Sequence, residues 1–122
     1  SYIVAANHLG RIDAALIYNY INRKDLIIFV AEKYRENWLF AWFTRQLNAI
    51  YIDRYNADFA AVREVLKRIK AGGVMVIAPE GTRSRTGKLQ PGLPGAAYVA
   101  SKAGVALYPG AATGCEEPLD TK

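Results

Sequence analysis

The sequence holds one cysteine, Cys115, and one histidine, His8, in 122 residues. A single thiol makes no internal disulfide, and one cysteine with one histidine cannot supply a Cys/His zinc cluster; the usage points to a reducing compartment. No apolar run approaches the roughly 20 residues that cross a bilayer, and no charged-then-apolar leader opens the chain. There is no internal repeat, no low-complexity tract and no Pro/Gly/Ser linker. The length allows one domain. Ser1 falls inside what reads as a strand, with no methionine before it, which suggests a partial sequence.

What is present is an ordinary globular balance, 52% hydrophobic and 22% charged, enough for a continuous core. Sixteen Lys and Arg against 11 Asp and Glu give +5 near neutral pH, which favours anionic partners: phosphorylated metabolites, anionic lipid or nucleic acid.

Short apolar runs at 2–6, 26–31, 50–53 and 74–78, with a weaker one at 105–113, alternate with segments of helical length at 12–22, 36–48, 58–71 and 95–103. In the third helical segment Phe59, Val62, Val65, Leu66 and Ile69 share a face, Asn56 can cap the start, and Gly72-Gly73 follows the end. Apolar strands alternating with helices predict an α/β fold whose mostly parallel sheet is covered by helices on both faces. Ligands in such sheets bind beyond the carboxyl ends of the strands.

Those ends carry Asn7-His8, Asp53-Arg54 and Glu80-Gly81-Thr82-Arg83-Ser84. Asp13 lies five residues after His8, in the first turn of the next helix, from where its carboxylate can reach back to the imidazole. A carboxylate on one ring nitrogen fixes the tautomer and leaves the other to take a proton from a hydroxyl, as a general base must. The plainer alternative is a loop histidine and a helix-start aspartate that complements the dipole. Gly81 permits close backbone approach, and the guanidinium forks of Arg83 and Arg54 suit a phosphate or carboxylate. Alternatively Arg83, Arg85 and Lys88 form a solvated basic loop.

Two superficial motifs fail. Gly81–Lys88 is no P-loop: five residues separate its glycines, Leu89 replaces the magnesium-binding Ser or Thr, and Pro91 follows. Gly92-Leu-Pro-Gly95 lacks the strand-glycine-helix context of a dinucleotide site. Trp38, Leu39, Phe40, Trp42 and Phe43 crowd six positions; core packing is the default expectation, with an acyl chain, a membrane interface or a further segment as alternatives.

The blocks Asn7–Asp13, Ile50–Arg54 and Pro79–Ser84, in this order and spacing, resemble the glycerolipid acyltransferase superfamily of lysophosphatidate and glycerol-3-phosphate acyltransferases. Val105–Pro109 looks like its last conserved strand, and Gly95-Ala-Ala like the helix start before it. The likeness covers nearly the whole chain. Ala49, Ala78 and Ala106 stand where the family usually has glycine, a bulky residue and proline; each proposed polar role stays filled.

The resemblance implies one acyltransferase catalytic domain over 1–122 with a glycerol-3-phosphate acyltransferase-like αβ fold. It implies transfer of a fatty acyl group from acyl-CoA or acyl carrier protein to a hydroxyl of lysophosphatidate, with no cofactor or metal. His8 would be the base and Asp13 its orienting partner, while Arg54, Glu80, Gly81, Thr82 and Arg83 would form the phosphate pocket. Family members usually begin with a membrane-docking segment, so the expected location is the cytoplasmic face of an anionic membrane, peripheral or anchored through segments outside this chain. Alternative acceptors are glycerol 3-phosphate or another lysolipid; the alternative class is a non-catalytic phospholipid-binding module. Nucleic acid is not expected as a partner, since Arg63, Lys67, Arg68 and Lys70 read as a solvated helix face.

Overall fold

The helix Phe59–Lys70 (α3) shows how the sequence builds the core. Ala61, Val65 and Ile69 recur at four-residue spacing and are buried, while Arg63, Lys67 and Lys70 face solvent. Phe59, expected on the apolar face, is instead 74% exposed, because at 100° per residue it stands about 120° from Val65 at the centre of the buried face. The cap is Asp58: its Oδ1 accepts from the Ala61 amide at 3.0 Å and its Oδ2 from the Asp53 amide at 3.2 Å. Asn56, expected in that role, lies outside the described residues.

The computed structural model describes residues 1–8, 13–53, 58–82 and 84–113, and only the backbone at 13–15. The strands are β1 (Tyr2–Ala6), β2 (Leu26–Ile27), β3 (Phe29–Ala31), β4 (Ile50–Ile52), β5 (Val74–Ile77) and β6 (Leu107–Gly110). The remaining helices are α1 (Asp13–Ile21), α2 (Trp38–Gln46) and α4 (Gly95–Ala103).

Among the described residues every strand pairing is parallel. One sheet runs β2-β5-β1-β6, with Ala5 opposite Ile77 and Ala6 opposite Gly110. The second consists of β3 and β4. The run 26–31, expected as one strand, therefore divides at Ile28: its first half pairs with β5 and its second with β4. An apolar run records burial, and says nothing of which neighbour each half will choose. Pro109 can lie in β6 because that strand is an edge, where a missing amide costs no ladder bond on the open side.

The core gathers Ile3, Ile27 and Met75 from the larger sheet, Ile50 from the smaller, and Ala61, Val65, Ile69 and Val99 from α3 and α4. The larger sheet is less fully covered than expected, since every residue of β6 is exposed. At the sheet's amino edge, Arg23 pairs with Asp25 at 2.7 Å. That hydrogen bond holds the Asp25 carboxyl below the usual carboxylate range.

The turn from α3 into β5 is tight. Gly72 adopts φ +102° and the Gly73 amide donates to the Arg68 carbonyl at 3.0 Å. A Cβ on Gly73 would stand 2.9 Å from the Arg68 carbonyl oxygen and 3.2 Å from that of Asp25. Both obstacles are backbone, so Gly73→Ala should cost about 1–3 kcal/mol of stability. The urea unfolding midpoint measures this; an unchanged midpoint would contradict the packing described.

Candidate active site

A parallel sheet places the carboxyl ends of neighbouring strands side by side. Here β1 lies between β5 and β6, so the loops after all three meet at one edge. Asn7 and His8 follow β1, Glu80, Gly81 and Thr82 follow β5, and Ala111 and Ala112 follow β6.

The loop after β1 is tied on both flanks. Asn7 Nδ2 donates to the Ala112 carbonyl at 2.8 Å, and the Ala112 amide returns a bond to Asn7 Oδ1 at 2.7 Å. On the β5 side, the His8 amide donates to Glu80 Oε1 at 3.1 Å, and the Ser84 amide donates to the His8 carbonyl at 2.8 Å. Both backbone polar groups of His8 are thus engaged by the loop that follows β5. The residue itself stays partly exposed.

Glu80 is only 8% exposed. Its second oxygen accepts from the Gln90 amide at 3.4 Å, so one carboxylate joins the loop after β1 to both ends of the loop after β5. Amide donors satisfy a buried carboxylate that would otherwise be costly to desolvate. Gly81 has φ +74°, a region that favours glycine, and a Cβ there would meet Leu93 at 3.2 Å. The loop closes through the Leu93 amide on the Pro79 carbonyl at 2.7 Å. Ser84 Oγ further donates to the Lys88 carbonyl at 2.6 Å.

The structure therefore brings His8, Glu80, Gly81 and Thr82 to adjacent loops at one sheet edge. α1 begins at Asp13, as a partner for His8 from the next helix would require. The Asp13 side chain, Arg54 and Arg83 lie outside the described residues, so the expected pairing and anion clamp do too. Among the described residues, no three His, Cys, Asp or Glu side chains gather as metal ligands would. Sequence reasoning missed the Asn7 clamp. A side-chain amide mimicking a strand partner leaves no periodic signal, and its target is 105 positions away.

This arrangement has known counterparts. The Acyltransferase family model matches residues 1–113. The crystal structure of the 1-acyl-sn-glycerophosphate (LPA) acyltransferase PlsC from Thermotoga maritima superposes with a TM-score of 0.70 at 30% sequence identity. The match covers 88% of this chain and 42% of that one, so the chain spans less than half of that protein's length. With most of its residues matched by the family model and an α/β architecture shared with PlsC, the chain belongs to the Acyltransferase family.

Proposed function

We propose that the chain is the catalytic domain of an acyltransferase that esterifies a hydroxyl of lysophosphatidate, with a coenzyme A or acyl carrier protein thioester as donor. The observation that carries this reading is His8 at the carboxyl end of the central strand, its backbone gripped by the Glu80 loop, within an Acyltransferase family match.

In the proposed reaction His8 takes the proton of the acceptor hydroxyl as its oxygen attacks the thioester carbonyl. The C–O bond forms, the C–S bond breaks, and the thiolate leaves with the proton that His8 returns. No acyl-enzyme is needed. Asp13 orients the imidazole and stabilises its charged form. Arg54 and Arg83 hold the acceptor phosphate, and Thr82 and the Gly81 backbone border it. Glu80 shapes this pocket from beneath: its oxygens receive amides, so its part is to fix the histidine loop. The acceptor and a long-chain donor both partition into bilayers, so the enzyme would work at an anionic membrane surface.

The deciding assay is thiol release from an acyl-CoA with and without lysophosphatidate, repeated with acyl carrier protein as donor and glycerol 3-phosphate as acceptor. Release should require an acceptor and should disappear in His8→Ala; acceptor-independent release, or normal turnover by a folded His8→Ala protein, would overturn the reading. Arg83→Ala should raise KM for the phosphorylated acceptor about tenfold or more, with a smaller effect on kcat. Glu80→Gln puts an amide donor against an amide donor and should cost about 1–3 kcal/mol of stability. In folded protein it should also lower kcat more than KM. A KM effect alone would instead make Glu80 a direct acceptor contact.

A further inference from the structure

Helix α2 is turned inside out. Nine residues long, it packs inward through Thr44, its one buried side chain, with Ala41 half-buried beside it. The Thr44 hydroxyl lies within reach of the helix carbonyls of Phe40 (3.0 Å) and Ala41 (3.1 Å) and shares a hydrogen bond with the Tyr51 hydroxyl at 2.7 Å. The contact with Tyr51 is thus small and polar.

The outward side carries Trp38, Leu39, Trp42 and Phe43. At 100° per residue these fall within one arc of about 140°, opposite Thr44. Trp38 is 79% exposed and Trp42 58%. Phe40, about 40° from Thr44 by the same step, lies off this arc and is less exposed at 37%, its ring tilted against Tyr34 at 4.9 Å. Surface helices of globular proteins place these faces the other way round. A helix so reversed needs a second apolar medium on its outer side.

We infer that this face of α2 docks into the interfacial layer of an anionic bilayer, resting on the reading that the enzyme works on lipid. Three observations select the bilayer. Tryptophan favours the boundary between headgroups and acyl chains, and both of the chain's tryptophans are here. Lys33 precedes the helix and Arg45 occupies its last turn, against the acid Glu36, while Arg35 is taken up by Glu32 and by the Tyr51 ring on the inward side. The chain as a whole carries +5, which draws it to anionic lipid and sets two copies against each other. At about 14 Å long, α2 lies in the interface plane and does not span; among the described residues no helix is long and apolar enough to cross.

Because both tryptophans sit on this helix, selectively excited tryptophan emission reports on this face alone. The 122-residue chain is mixed with vesicles of equal phosphatidylglycerol and phosphatidylcholine, with phosphatidylcholine vesicles as control. Emission should shift to shorter wavelength with the anionic vesicles, be quenched by lipids brominated along the acyl chain, and change less with the control. Exchanging both exposed tryptophans, Trp38→Ser with Trp42→Ser, should weaken vesicle co-flotation about tenfold or more while the circular dichroism spectrum stays unchanged. His8→Ala should float as the parent does, which separates failure of docking from failure of catalysis. The inference is overturned by co-flotation that persists in the double variant or by binding without an emission shift. It is equally overturned by emission already shifted in lipid-free protein that sediments as a dimer, which would assign the face to a second copy.

Discussion

One buried carboxylate holds the candidate site together. Parallel strands pair through their backbones, but the loops beyond their ends have no ladder to align them. In this chain the two loops that matter most come from positions 72 residues apart, and Glu80 closes that gap by accepting the His8 amide on one oxygen and the Gln90 amide on the other. Removing either amide would leave a carboxylate lobe buried without a partner, a cost larger than the bond itself is worth. The tie therefore constrains the backbone that carries the imidazole. Asn7 adds the same constraint on the other flank, so the loop after β1 is fixed to both neighbouring strands' loops.

That arrangement also bears on how a negatively charged side chain can belong to a site proposed to receive phosphate. A free glutamate would repel the anion. Here the carboxylate is sunk to 8% exposure and directed at peptide N–H groups. Its charge is spent on internal donors, leaving the exposed Gly81 and Thr82 as the loop's outer surface. The glycine is needed for its backbone conformation, φ +74°, which lets the chain turn immediately after Glu80 has been driven inward.

Much of this was legible in the sequence, for identifiable reasons. The alternation of apolar runs and helical segments follows from burial, and the structure has the parallel pairing it predicts. α4 spans Gly95–Ala103 as read, and α3 starts one residue inside its expected bound. The division at Ile28 was not legible, because both halves of 26–31 are equally apolar and only partner choice separates them. The cap of α3 fell on Asp58, not Asn56, since either side chain can accept an amide and geometry alone decides. Within the candidate site, the positions of His8 and Glu80 beyond neighbouring strand ends were legible. What no pattern disclosed was that Glu80 acts on the backbone of His8, a relation set by the register of β1 against β5.

The same logic explains why the aromatic helix misled. Composition gives the apolar residues of 38–43 to the core by default, yet a helix buries whichever face its neighbours leave room for. Tyr51 on β4 presents a hydroxyl towards α2, and Thr44 answers it at 2.7 Å. Once that polar contact sets the helix's rotation, Trp38, Leu39, Trp42 and Phe43 are carried outward by the 100° step alone. Rolling the helix to bury them would break the Thr44–Tyr51 bond. The exposed apolar face is therefore a consequence of a specific inward contact, and the medium that covers it must come from outside the fold described here.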